Sequence, residues 1–231
     1  MAFIAIACGG GSDGRPVPGA AGAAVPAESS RTDQNAATAA RVRVLIVGTS
    51  LTAGLGLNPD DAYPSVLQRM ADSAGFSAQI VNAGLSGETS AGALRRIDWL
   101  LSEPADIVIV ETGANDGLRG LDPDSTAANL GRIVAAIRTK APSARVALVQ
   151  MEAPPNLGAA YTRRFHAIFG EVAHATGATL FPFLLQGVAG DTLLNQEDGI
   201  HPTERGARLV AANVWRALVP MLGPDERTPR H

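Results

Sequence analysis

The chain has 231 residues, of which 46% are hydrophobic and 18% charged, and this length and composition suit one globular domain with a buried core. Its formal net charge of -3 and the lack of any Lys/Arg run argue against a nucleic-acid partner, because contacts to phosphates need clustered positive charge. The single cysteine, Cys8, excludes an internal disulfide framework and a cysteine-rich metal site, and no apolar run approaches the roughly 20 residues that cross a bilayer.

The first forty residues suggest an export signal followed by a linker. Met1 to Ala7 is apolar, and Cys8 precedes a Gly/Ser run, as at the end of a bacterial lipoprotein signal that is cut before a lipidated cysteine. Because the apolar part is short and lacks a basic start, an unstructured N-terminus is the alternative. The sequence therefore predicts a periplasmic or cell-envelope protein with a candidate lipid anchor at Cys8, or a cytoplasmic protein if this segment is not a signal. Residues 9–40 lack periodicity and predict a flexible linker.

Residues 41–222 are predicted to form the folded domain, ahead of a disordered tail at 223–231. Its strand candidates are Val42–Val47, Gln79–Asn82, Asp106–Glu111, Arg145–Met151 and Thr179–Phe181. Helices fit Ala62–Ala74, Ala159–Thr176 and Pro202–Val219, and helix faces are formed by Leu94, Ile97 and Leu101 and by Leu130, Ile133, Val134 and Ile137. Strands that alternate with helices of this length predict an α/β fold with a five-stranded, mostly parallel sheet and helices on both faces.

The turn after the first strand carries a candidate nucleophile, Ser50. Gly48 permits a sharp turn out of the sheet, so that Ser50 would lie at the carboxyl end of a buried strand. Ligands bind at that edge in open α/β sheets. The alternative is that Ser50 merely caps the following helix.

Asp198 and His201 are the candidate partners of this serine. A serine hydroxyl needs an adjacent base, usually an imidazole whose other nitrogen is held by a carboxylate. With this spacing in a turn, the Asp198 carboxylate can fold back to Nδ1 of His201. Pro202 disfavours helical angles at His201 and suits a projecting side chain. The alternative is a capping aspartate beside a surface histidine.

Two other turns at the same sheet edge offer donors for a developing oxyanion. The backbone amides of Ser50 and Gly87 and the side-chain amide of Asn115 could converge on one point, and acyl transfer requires such donors. Asn115 could instead only stabilise its own turn.

No metal or other cofactor is expected from the remaining histidines. His166 and His174 lie eight positions apart on a predicted helix, without a nearby cysteine or HExxH spacing. They are interpreted as surface or partly buried residues.

Four segments carry a family resemblance: GTSLTAGLG at 48–56, GLSGETS at 84–90, TGANDG at 112–117 and DGIHP at 198–202. In order and spacing they are similar to the signature blocks of the SGNH (GDSL-type) hydrolases. Within that superfamily the chain most resembles the thioesterase I / lysophospholipase L1 / arylesterase branch. The resemblance implies a flavodoxin-like three-layer α/β/α sandwich and no cofactor. It places the nucleophile on Ser50, the oxyanion donors on Gly87 and Asn115, and the acid and base on Asp198 and His201.

Two positions depart from the family pattern. Thr49 stands where the usual Gly-Asp-Ser motif has aspartate, so a carboxylate beside the nucleophile is lost. Threonine can still donate and accept a hydrogen bond in the turn, and we expect activity to be retained, with a shifted pH optimum or a less rigid loop. Ala114 stands where the branch often has glycine, and its methyl group is expected to narrow the oxyanion approach slightly.

The resemblance and the residues together predict a serine esterase. Its expected substrates are small esters, with thioesters as a second candidate class, that carry short- to medium-chain acyl or aryl groups, or lysophospholipid-like molecules. Two alternatives remain at this point: a carbohydrate O-acetyl esterase, and a non-catalytic lipid- or glycan-binding module that kept the fold. A nucleotide-binding interpretation of residues 48–56 is weaker, because no lysine follows to reach phosphates. The sequence does not predict the oligomeric state.

Overall fold

The structure is a computed structural model that describes residues 41–223. The predicted export signal, the linker and the possible lipid anchor at Cys8 lie outside the described residues, as does the predicted tail beyond Gly223. No helix within 41–223 combines the length and apolar character needed to cross a membrane.

Five strands and seven helices alternate along the described chain. The strands are β1 Val42–Gly48, β2 Ala78–Gly84, β3 Ile107–Val110, β4 Arg145–Val149 and β5 Thr179–Phe181. The helices are α1 Ser50–Ala53, α2 Tyr63–Ala74, α3 Ser90–Leu100, α4 Ala114–Leu118, α5 Pro123–Lys140, α6 Ala159–Thr176 and α7 Glu204–Leu222. Short 3₁₀ turns occur at Pro59–Asp61 and Pro155–Leu157.

The sheet is parallel throughout, with the strand order β2-β1-β3-β4-β5. This is the flavodoxin-like order, so the predicted fold class is confirmed. Helices α3, α5 and α6 pack side by side in one layer, and α2 packs on α7 in the other. The order reverses between β1 and β3, and such a switch point opens a crevice at the carboxyl ends of the strands. Ser50 and Asn115 both lie just beyond those two ends.

The hydrophobic core explains why these segments fold as they do. Val44 to Val47 in β1 and Ile107 to Val110 in β3 are almost completely buried, as their unbroken apolar runs predict for strands covered on both faces. The four residues predicted as one helix face are equally buried and belong to α5: Leu130, Ile133, Val134 and Ile137. Burial of this layered core fixes the strand ends that carry the polar turns.

Several predicted boundaries differ from the observed ones by one to three residues, and two of these differences have clear local causes. The last helix begins at Glu204, whereas Pro202 was predicted to open it. Pro202 instead forms an isolated bridge with Asn195, and Thr203 caps the helix by accepting a hydrogen bond from Gly206 N. The third strand ends at Val110, one residue before Glu111, whose side chain turns towards β1.

Candidate active site

The turn that presents Ser50 is tightly built. Ser50 is the first residue of α1, directly after the extended Thr49, and α1 ends after one turn at Gly54, where φ is 76°. A Cβ at Gly48 would lie 2.0 Å from the hydroxyl oxygen of Thr52, so only glycine fits there. The Ser50 side chain thus stays at the rim of the sheet, in a residue that is 9% exposed.

A continuous hydrogen-bonded chain connects Ser50, His201 and Asp198. His201 Nε2 lies 2.9 Å from Ser50 Oγ, and His201 Nδ1 lies 2.6 Å from Asp198 Oδ2. The other carboxylate oxygen, Oδ1, accepts the backbone N–H groups of Ile200 and His201 at 2.8 and 3.0 Å. The hydrogen bonds from His201 and these amides lower the pKa of Asp198 to about 2. The carboxylate is therefore ionised at neutral pH and can orient the ring and stabilise an imidazolium.

The loop that carries His201 is hydrogen-bonded to the loop that follows Ser50. Gln196 N donates to His201 O at 2.7 Å, and the Gln196 side-chain amide donates to Leu55 O at 2.8 Å and to Pro202 O at 2.9 Å. The Gln196 amide thus bridges two segments that are 141 residues apart in sequence. This bridge holds the imidazole over the serine.

Two of the three candidate oxyanion donors, Gly87 and Asn115, lie in segments that are hydrogen-bonded to each other. Asn115 Nδ2 donates to Glu88 O at 2.9 Å, and Arg119 Nη2 donates to Gly87 O at 3.0 Å. The Asn115 side chain therefore bonds the neighbouring loop and not its own turn, which was the alternative considered above. Gly87 has φ 77°, a conformation that favours glycine.

Among the described residues, the backbone N–H groups of Ser50 and Gly87 have no hydrogen-bond acceptor. Asn115 uses one of its two amide protons on Glu88 O and retains the other. The site thus offers three N–H donors that the fold itself does not consume. Such pre-oriented donors can stabilise an oxyanion without reorganisation.

Buried Asp116 supports these donor loops. Its carboxylate accepts hydrogen bonds from Ser90 N at 2.8 Å and from the hydroxyl of Thr126 at 3.3 Å. It therefore ties α4, which carries Asn115, to the start of α3 and to α5. Ala114, in the same short helix, is half-buried and packs against the hydrophobic core.

The sequence did not predict a role for Glu111, a buried residue immediately after β3. Its carboxylate accepts the backbone N–H of Thr49 at 2.9 Å and the hydroxyls of Thr49 and Thr52 at 3.0 and 2.6 Å. Burial raises the pKa of Glu111 to about 7, although these hydrogen bonds lower it. The sequence does contain a signal for this role, because an acidic residue directly follows four apolar residues of a buried strand. A carboxylate at such a position needs a partner, since carboxylates are almost never buried without one.

The raised pKa of Glu111 predicts a stability change with pH. Folding raises the pKa of Glu111 from its ordinary value of 4.5 to about 7, so the protonated acid stabilises the folded state. This contribution to the free energy of unfolding is fully present below pH 4.5 and is lost as pH rises through 7. The shift corresponds to about 3 kcal/mol. We expect Glu111→Gln to match the wild-type free energy of unfolding near pH 4.5 and to exceed it by up to that amount near pH 8, measured by urea denaturation.

An exposed glutamate supplies the control for this measurement. Glu103 pairs with Arg43 but its side chain is 73% exposed, so Glu103→Gln should show no such divergence from the wild type. Parallel stability curves for the wild type and Glu111→Gln would contradict a raised pKa.

The remaining histidines lie away from this constellation. His166 Nδ1 is 2.7 Å from Glu152 Oε1 on the exposed side of α6, and His174 is exposed on the same helix. Within residues 41–223 no group of three or more His, Cys, Asp or Glu side chains could hold a metal ion.

Comparison with known proteins relates this chain to a known family. The family model described as "GDSL-like Lipase/Acylhydrolase family" matches residues 46–209, a range that includes all five candidate site residues. The chain is 40% identical over 186 residues to "Esterase TesA" of Pseudomonas aeruginosa, which covers 80% of this chain and 91% of that protein. It is 35% identical over 188 residues to "Thioesterase 1/protease 1/lysophospholipase L1" of Escherichia coli K12, which covers 81% and 88%.

Solved structures show the same similarity in three dimensions. The psychrotrophic esterase EstA from Pseudoalteromonas sp., in a structure inhibited by monoethylphosphonate, superimposes with a TM-score of 0.75 at 34% identity. The match covers 78% of this chain and 98% of that one.

Proposed function

The chain belongs to the GDSL-like lipase/acylhydrolase family, and on this premise we propose that it is a serine esterase in which Ser50, His201 and Asp198 form the catalytic triad. The observation that carries the proposal is the unbroken line from Asp198 Oδ2 through the imidazole to Ser50 Oγ. A surface histidine beside a helix cap would not place Nε2 at 2.9 Å from a serine hydroxyl 151 residues away in sequence.

The geometry supports the following role for each group. Ser50 Oγ attacks the ester carbonyl, and His201 Nε2 takes its proton and returns it to the leaving alcohol. Water then attacks the acyl-enzyme, with His201 again as the base, and the acid is released. Asp198 holds the proton on Nδ1 and stabilises the imidazolium. The N–H groups of Ser50, Gly87 and Asn115 stabilise the oxyanion in both half-reactions.

The surroundings of Ser50 favour acyl or aryl esters over acetylated sugars. Five large apolar side chains, each between 39 and 51% exposed, lie in the segments next to the proposed catalytic groups: Leu55, Leu85, Leu118, Leu121 and Ile200. We call these five residues the apolar rim. A glycan-binding site would instead present hydrogen-bonding side chains to sugar hydroxyls. The rim thus supports the acyl esterase over the carbohydrate O-acetyl esterase.

The acyl group has little space behind the serine. The recess there, lined by Leu51, Leu185 and Val210 among others, has a free volume of only about 10 Å³, which is enough for about one water molecule. We therefore infer that a longer acyl chain lies over the apolar rim.

This arrangement predicts a chain-length preference that depends on the rim. We expect kcat/KM to rise from p-nitrophenyl acetate to the octanoate, and Leu85→Ser combined with Leu118→Ser to lower the octanoate value about tenfold, with little effect on acetate. The reason is that complete burial of a leucine side chain contributes about 1.5 to 3 kcal/mol. The half-exposed leucines of the rim would gain part of this free energy when an acyl chain covers them. Leu180→Ser on edge strand β5, with 42% exposure, is the matched control. Equal losses on both esters would contradict the rim's role.

Covalent labelling tests whether Ser50 is the nucleophile. The neighbour EstA is inhibited by monoethylphosphonate, and we expect a fluorophosphonate probe to label this chain at Ser50, detected as a mass increase on the peptide that contains it. A non-catalytic lipid- or glycan-binding module would not react. Labelling elsewhere, or hydrolysis without labelling, would overturn the serine mechanism.

A further inference from the structure

Glu111 lies directly beneath the turn that carries Ser50. Its backbone N–H donates to Val47 O at 2.7 Å, so that the residue, one position after β3, lies beside the end of β1. The side chain is completely buried. A Cβ added at Gly48 would lie 2.7 Å from Glu111 Oε2, which means that the glycine leaves the space that the carboxylate occupies.

The carboxylate binds residues on both sides of the nucleophile. Oε2 accepts Thr49 N at 2.9 Å and the Thr52 hydroxyl at 2.6 Å, while Oε1 accepts the Thr49 hydroxyl at 3.0 Å. The Thr49 oxygen in turn accepts Leu51 N at 3.4 Å. The backbone before and after Ser50 is thus held by one buried group.

No cation pairs with this carboxylate among residues 41–223. The other titratable group in the cluster is Tyr63 of α2, whose hydroxyl lies 2.7 Å from Thr52 Oγ1. Because the Thr52 hydroxyl donates to Glu111, the Tyr63 hydroxyl donates to Thr52. Only neutral N–H and O–H groups therefore face Glu111, and their hydrogen bonds strengthen when the acceptor is ionised.

We propose that Glu111 is a positioning residue for Ser50: although burial of its charge lowers the stability of the whole fold, the ionised carboxylate makes stronger hydrogen bonds to the nucleophile turn and holds it more firmly than the neutral acid does. The proposal rests on the proposed function, since it takes Ser50 as the nucleophile. Thr49 belongs to the same hydrogen-bonded cluster. An aspartate there, as in the usual Gly-Asp-Ser motif, would set a second carboxylate against Glu111, whereas threonine supplies a hydroxyl that donates to it.

If Glu111 positions Ser50 in this way, the effect of Glu111→Gln on kcat should depend on pH. Glutamine resembles the neutral acid in shape and keeps one acceptor oxygen. Burial raises the pKa of Glu111 to about 7, so we expect wild type and variant to have similar kcat for p-nitrophenyl butyrate near pH 5.5. The wild type should be about tenfold faster near pH 8.5, with KM within about twofold, because small displacements of a nucleophile mainly affect the chemical step.

The design separates three outcomes. A wild-type to variant ratio that stays constant with pH would overturn the proposal and leave Glu111 as a structural residue, while labelling of Ser50 by fluorophosphonate would show that the serine esterase still stands. A variant of Ser50 that retained full activity would overturn the proposed function itself. Glu103→Gln, on an exposed glutamate, should match the wild type at every pH.

Variants of Thr49 provide a second test that does not depend on the folding of Glu111→Gln. Thr49→Val removes the hydroxyl that donates to Glu111, and we expect a several-fold lower kcat and slower fluorophosphonate labelling near pH 8.5, with KM little changed. Thr49→Ser keeps the hydroxyl and should restore both rates. Failure of serine to restore them, or full activity of the valine variant, would contradict the proposal. Thr139→Val on α5, where the hydroxyl bonds only Ala135 O of its own helix, is the matched control.

Discussion

Ser50→Ala is expected to lower kcat for p-nitrophenyl butyrate by about 10⁴-fold or more, because removal of the nucleophile prevents formation of an acyl-enzyme. The residual rate would come from the oxyanion donors and substrate binding alone. Ser50 Oγ bonds only His201 Nε2 among the described residues, so the substitution should leave the fold intact. Initial rates over a range of substrate concentrations, with circular dichroism to verify folding, would measure the effect.

The stronger form of this test is a double variant. Residues that act as one unit give losses that do not add, so Ser50→Ala combined with His201→Ala should be no slower than Ser50→Ala by itself. Multiplying losses would show that His201 acts independently of the serine. Ser102→Ala, an exposed serine just beyond α3, should keep the full rate. If Ser50→Ala kept it as well, the serine mechanism would have to be abandoned.

The parts of the site that follow from local sequence could be predicted before the structure. Asp198 and His201 are three residues apart in one turn, so their contact depends on few backbone angles. Gly87 and Asn115 each follow a strand, and the parallel topology brings such turns to one edge of the sheet. The fold itself could be predicted because the apolar runs of β1 and β3 match strands that are buried on both faces.

The role of Glu111 could not be predicted in the same way. Its partners Thr49 and Thr52 are 62 and 59 residues away in sequence, and their contact depends on β1 and β3 being neighbours. Sequence periodicity detects strands but not their order. The hydrogen bond from Gln196 to Leu55 could not be predicted for the same reason. The predicted start of α7 was wrong because Thr203, and not Pro202, is the residue that caps this helix.

Asn115→Ala is expected to cost roughly 3 to 4 kcal/mol in transition-state binding, a loss of about 10² to 10³ in kcat. The amide proton that is not used on Glu88 O would no longer reach the developing oxyanion. Since the ground-state carbonyl needs this donor far less than the tetrahedral intermediate does, KM should change little. Steady-state kinetics on p-nitrophenyl butyrate separates the two constants.

The same substitution also removes the hydrogen bond from Asn115 to Glu88 O, and displacement of the Gly87 loop is therefore the competing explanation for the loss. Arg119→Ala distinguishes the two causes, because Arg119 connects the same loops through Gly87 O but is not one of the proposed oxyanion donors. If the oxyanion role is correct, Arg119→Ala should reduce kcat by far less than Asn115→Ala. Equal losses in the two variants, or a loss in Asn115→Ala confined to KM, would mean that Asn115 only holds the loop and that the oxyanion is stabilised by the two backbone amides without it.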